Sequence, residues 1–210
     1  MRVPILYIVT LALLFACNQP DKKEKGIVDT IKDDKSDSVT RKKRDTALLT
    51  LSEEILQAIK SKDYEKVASF ISPGAGVRFS PYGFIDTNTS QVLFPSQLIE
   101  YAKNKKRLAW GAFDGSGDTI TLTVPAYFEK FVYNEDYVNA EKKSVNQFLA
   151  NGNSLNNLHE TFPGADFTEF YFPGFDPKYE GMDWQTLRLI FHYQNNRYVL
   201  IGIVHDQWTS

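Results

Sequence analysis

The sequence predicts an α+β fold: N-terminal helices packed on a strongly curved antiparallel sheet, in a single domain over residues 46–210. Three observations carry this. Leu48, Leu49, Leu51, Ile55, Leu56 and Ile59 recur at near-helical spacing. Short β-branched and aromatic runs bounded by Gly, Pro, Asn and Asp then dominate the chain. Two long runs of that kind close it, on either side of Asn195-Asn196. Helices first and strands later is the order of a segregated α+β architecture.

Each element has a local cause. The first helix is expected from about Thr46 to Lys60. Asp63 is placed as the N-cap of a second, with Tyr64, Val67, Ala68, Phe70 and Ile71 inward, and Pro73-Gly74 ends it. "GVRFSPYGFID" alternates through Val77 and Phe79 and is then broken by proline, which suits an edge strand or a bend. Ser96 caps a short helix to about Lys103. "RLAWGAFDG" and "DTITLTV" read as two strands about the turn Asp114 to Asp118. Pro125 opens a helix to Tyr133 that buries Tyr127, Phe128, Phe131 and Val132. Strands are then expected at Ser144–Leu149, Ser154–Glu160, Asp166–Phe172, Trp184–Gln194 and Arg197–Trp208.

Asn195-Asn196 suits a two-residue turn with positive φ, so Gln194 pairs with Arg197 and the register follows. One face then carries Leu187, Leu189 and Phe191 against Leu200, Gly202 and Val204. The other carries Thr186, Arg188, Ile190 and His192 against Val199, Ile201, Ile203 and His205, with Arg188 diagonal to His205. "LSEEILQAIKSKDYEKVASFI" and "LRLIFHYQNNRYVLIGIVHDQW", by their layout, resemble the nuclear transport factor two-like (SnoaL-like) cone fold. That resemblance implies a cone-like sheet wrapped around helices with a pocket at its open end. "GVRFSPYGFI", "FYFPGFDPKYEGMDW" and "IVHDQW" resemble an uncharacterised family of secreted bacterial proteins, which implies no activity.

The N-terminus carries a different kind of information. Arg2 precedes an apolar run from Val3 to Ala16 that ends at Cys17, shorter than the roughly 20 residues a membrane span needs. Leu14-Phe15-Ala16-Cys17 resembles the lipobox of bacterial lipoproteins, although Phe15 is bulkier than the usual occupant. The resemblance implies a signal peptide over residues 1–16, acylation of Cys17, and a membrane partner reached through that lipid. Asn18, where an inner-membrane retention signal would have Asp, points to the outer membrane, on either its periplasmic or its surface side. Residues 17–45 are rich in charge and hold no aromatics, so they are expected to form a disordered tether. Cys17 is the only cysteine, which excludes disulfides within the chain and cysteine metal clusters. A net charge of −2 implies no nucleic-acid partner.

Candidate chemistry is sparse. A phosphate loop, a G-x-S-x-G elbow and an H-E-x-x-H pair are all missing. His205 with Arg188 could supply a general base beside an anion-binding cation, or His205 could simply close a strand-end hydrogen bond. Asp206, its neighbour, should face the other way unless a bulge intervenes. His159, His192 and His205 lack metal-site spacing, so no metal and no cofactor is expected. Asp114-Gly115-Ser116-Gly117-Asp118 copies half a calcium loop but has Pro125 where the bidentate acid belongs, and reads as a turn. The aromatic stretch from Glu169 to Trp184 offers Tyr171, Tyr179 and Trp184 as stacking platforms and Asp176 and Asp183 as acceptors, or equally a lid on the sheet. Its Phe-Pro-Gly, like the one at Phe162, suits a type II turn. The reading best supported is a lipid-anchored envelope domain that binds a small molecule, glycan or peptide without chemistry. A cone-fold enzyme using His205 and Arg188, and a module that docks another envelope protein, are the alternatives.

Overall fold

The computed structural model describes residues 32–150 and 155–209. The signal peptide, Cys17 and the first part of the expected tether lie outside them. Among the described residues no helix is long and apolar enough to cross a membrane. The chain divides at Ser38, and the domain described below is Val39–Ser210.

Helix α1 spans Lys32–Lys60 and so begins well before Thr46, inside the segment expected to be a disordered tether. From Ser38 to Arg44 its residues are exposed, Arg41, Lys42, Lys43 and Arg44 among them. Packing begins at Leu48, and Leu48, Ser52, Ile55, Leu56 and Ile59 form the buried stripe at helical spacing. Helix α2, Tyr64–Phe70, follows, with the Asp63 carboxylate accepting from the Lys66 N–H. Helix α3 is Pro95–Asn104. Helix α4, Val124–Tyr127, runs on as a π-helical turn over Phe128–Val132 that buries Phe128, Phe131 and Val132.

The main sheet has six strands in the order β2-β1-β8-β7-β6-β5. These are β1 (Val77–Ser80), β2 (Val92–Leu93), β5 (Lys142–Val145), β6 (Asp166–Phe172), β7 (Gln185–Gln194) and β8 (Arg197–Gln207). β1 lies parallel to β8, with Arg78, Phe79 and Ser80 opposite Gly202, Ile203 and Val204, and the other pairs are antiparallel. β3 (Arg107–Ala112) and β4 (Thr119–Thr123) form a separate two-stranded sheet. This overturns the strongly curved, cone-like antiparallel sheet and with it the resemblance to the nuclear transport factor two-like fold. The sheet is mixed and open, with β2 and β5 as its edges. Periodicity shows that a segment is a strand and which face is buried. It does not show which distant strand becomes its neighbour, and β1 joins β8 across most of the chain.

The sheet buries both faces. Phe170, Leu187, Leu189, Phe191, Leu200 and Ile203 pack with α1, α2 and the π turn in the larger core. Phe167, Ile190, Val199, Ile201 and Val204 pack on the other side with Ile85, Leu158 and Phe162. The Ser52 hydroxyl bonds the Leu48 carbonyl at 2.8 Å and the Thr168 hydroxyl at 2.8 Å, tying α1 to β6. The strand expected at Ser154–Glu160 is instead a short helix, α5, Leu158–Thr161, and Ser154 lies outside the described residues.

The terminal hairpin starts as expected, with Asn195 and Asn196 at φ 50° and 61° and Gln194 opposite Arg197. The register then shifts by one residue between Phe191 and Ile190, where an extra residue, Ile201, enters β8. Beyond it Leu187 faces His205 and Thr186 faces Asp206. The face expected to carry His205 therefore carries Asp206, and His205 lies on the helix side of the sheet.

Candidate functional site

Arg188, in the middle of β7, is 1% exposed and sits between two carboxylates. Its Nη1 donates to Asp206 Oδ2 at 3.1 Å and its Nη2 to Glu169 Oε1 at 3.3 Å. The strands dictate this: Glu169 of β6 is directly opposite Arg188, and the bulge brings Asp206 of β8 to the same face. Glu169 is fully buried and also accepts from the Thr186 hydroxyl at 2.9 Å and from the Leu149 and Ala150 N–H groups at 3.1 and 3.2 Å. The guanidinium lies 5.2 Å from the Phe148 ring centroid. One cation thus bridges two acids inside the fold.

His205 and Arg188 are not brought together. His205 is 1% exposed, and its Nδ1–H donates to the Pro81 carbonyl at 2.9 Å, which fixes the neutral tautomer. Its ring meets Phe131 edge-on at 5.8 Å. Burial, with a smaller contribution from the Arg188 charge, pulls its pKa down to about 4 against the Pro81 hydrogen bond. His205 is a neutral core histidine at neutral pH.

The aromatic loop is mostly self-contained. Asp183 Oδ2 accepts from the Phe175 and Asp176 N–H groups at 3.0 and 2.8 Å, and Asp176 caps a 3₁₀ turn over Pro177–Tyr179. The side chain of Asp176 also pairs with Lys178 at 2.8 Å. Trp184 is buried and Tyr171 leans on it, 6.3 Å between ring centroids. Tyr179 is exposed. Gly164 at φ 71° and the Ala165 N–H bond to the Phe162 carbonyl make a type II turn of the first Phe-Pro-Gly. The second differs, because the Phe175 N–H is taken by Asp183. These candidates do not converge on one concave site.

A concave site lies elsewhere, between the loop after β1 and the β3-β4 sheet. It is a cavity of about 310 Å³ lined by Tyr82, Phe84, Asp86, Thr89, Phe113 and Asp114 above a floor that includes Ser80, Pro81, Trp110 and Asp206. The floor is closed: Trp110 and Asp206 present 0% and 4% of their surface, so the open volume lies between the upper walls. Beneath it, Trp110 stacks on Tyr127 at 4.0 Å, and Phe79 meets both rings edge-on. The loop is fixed from inside. The Ser80 hydroxyl contacts the Tyr82 and Phe84 carbonyls at 2.7 and 3.2 Å, and Arg78 bonds the Ser90 hydroxyl at 2.7 Å. Asp86 accepts from the Asn88 N–H and the Thr89 hydroxyl, and these bonds hold its carboxyl below the usual range. Gly83 is required, since a Cβ there would stand 2.5 Å from Asp206 Oδ2.

The Asp114 to Asp118 turn is a hairpin loop, with the Phe113 N–H bonded to the Asp118 carbonyl at 2.8 Å. Among the described residues no group of three or more His, Cys, Asp or Glu side chains could hold a metal ion. His159 packs against Phe148 and Phe167, and His192 is exposed. No family model matches the chain, and neither a curated protein nor a solved structure is similar to it. The sequence reading missed the cavity because its two walls are separated in the chain and neither is a motif. The available sign was "SPYGFID" and "WGAFDG", in which Gly, Pro, aromatic and acidic residues are interleaved where a plain strand would alternate.

Proposed function

We propose that this protein is a ligand-binding domain of the bacterial envelope, held to a membrane by acylated Cys17, and that the cavity between Tyr82, Phe84 and Phe113 is where a small molecule sits. The observation that carries the reading is the cavity itself. At about 310 Å³ it reaches the lower end of ordinary ligand pockets, and it has aromatic walls with a few placed polar groups. Its base is a packed aromatic cluster rather than a mobile surface, which keeps the walls in place before a ligand arrives. The lipobox resemblance at Leu14 to Cys17 supports the anchor, since several acyl chains hold a protein at a bilayer.

Ala112 lines the cavity and is exposed, so Ala112→Trp fills the space without disturbing the core. A thermal-shift screen of small metabolites on the full chain should find stabilising compounds whose effect disappears in that variant. Compounds that stabilise both proteins equally, or none at all, would remove the reading. Metabolic labelling with a palmitate analogue tests the anchor separately: label should enter the wild type and be lost in Cys17→Ala. A second reading, a surface that docks an envelope protein, is favoured by one observation: Phe175, Tyr179 and Met182 are exposed by 46%, 46% and 48% on one short loop.

A further inference from the structure

The charge of the cavity is one-sided. Its ionisable lining residues, Tyr82 apart, are Asp86, Asp114 and Asp206, and neither lysine, arginine nor histidine is among them. Asp206 is bound by Arg188, which also holds the buried Glu169. Two further cations stand near. Arg78 is turned to Ser90 and the Thr87 carbonyl, and Lys130 lies 5.6 Å over the Phe113 ring. That lysine contact is itself a cation on an aromatic face of this region. The walls carry three aromatic side chains in all, Tyr82, Phe84 and that same Phe113, around the open volume.

Aromatic faces with carboxylates at the rim are the chemistry that recognises an organic cation. The ring quadrupoles attract the positive charge without strong hydration competing for it, while the acids raise its local concentration. We infer that the cavity between the Ser80–Ser90 loop and the β3-β4 sheet binds a small organic cation, an amine or quaternary ammonium with an apolar body. This rests on the cavity being the ligand site and goes further by naming what it takes.

Three isosteric probes decide it: choline, the neutral 3,3-dimethylbutan-1-ol and the anionic 3,3-dimethylbutanoate. Each is titrated into the full chain while the backbone amide resonances of Phe84 and Phe113 are followed by NMR. Choline should bind at least about tenfold more tightly than the neutral alcohol, and the anion should not saturate. Asp86→Asn and Asp114→Asn each remove the charge of one lining carboxylate. Each should weaken choline by roughly two- to fivefold and leave the alcohol unchanged, with the effect shrinking as salt is raised. Equal affinity for choline and the alcohol, or tighter binding of the anion, overturns the cation assignment and leaves the cavity reading standing. No saturable shift with any of the three at these residues overturns both.

Discussion

Arg188 shows what a single buried charge does here. It touches Glu169 and Asp206, both almost wholly out of water, so removing it takes the guanidinium from two buried carboxylates at once. Arg188→Ala is expected to cost about 3–5 kcal/mol, read by urea unfolding, because an uncompensated buried charge costs far more than the pair contributes. A loss below about 1 kcal/mol would mean that water reaches the cluster. His205 makes the opposite kind of prediction. Its folded pKa, about 4, lies below the ordinary value of 6.5. The unfolded chain therefore binds a proton that the folded one refuses between those values, so stability falls as pH drops from about 6.5 to about 4. The span amounts to roughly 3 kcal/mol. Comparing His205→Gln with wild type at pH 7 and pH 4.5 isolates it from the acids: the variant should lose clearly less stability on acidification. Identical losses would place His205 in contact with solvent.

Among the elements, the bulge in β8 decides the most. A one-residue shift exchanges the faces of every later side chain, so Ile201 is the reason Asp206, and not His205, meets Arg188. Gly202 beside it sits tightly: a Cβ would stand 2.9 Å from Ile190 Cδ1 and 2.9 Å from Phe162 Cζ. Gly202→Ala should therefore destabilise by about 1–3 kcal/mol in denaturant unfolding, and a neutral outcome would show that these two side chains can retreat. The same strand marks where the sequence was legible. Asn195-Asn196 fixed its first pairs correctly, because a two-residue turn has few geometries. The arithmetic failed at the first inserted residue, since Leu200, Ile201 and Ile203 are alike in hydrophobicity and nothing in them marks a bulge. The stripe from Leu48 to Ile59 was legible for the reverse reason: helical spacing is local. Sheet order was not, because the parallel pairing of β1 with β8 rests on contacts between segments more than 100 residues apart in the chain.

At the scale of the whole molecule, the sheet is a wall with a core on each side. The cavity lies between the loop after β1 and the β3-β4 hairpin, where two chain segments meet over the aromatic cluster. The aromatic loop that stood out in the sequence is tied to itself through Asp183, and its buried Trp184 is part of the scaffold. The central claim is that the site is the cavity and not that loop, and the indole N–H resonances separate the two directly. Trp110 forms the cavity floor with its Nε1–H bonded to the Leu122 carbonyl at 2.9 Å, while Trp184 belongs to the loop. During a titration with benzyltrimethylammonium, the account predicts a saturating shift of the Trp110 indole signal and a stationary Trp184 signal. A moving Trp184 signal with Trp110 unchanged would contradict it and return the site to the loop between Pro173 and Trp184.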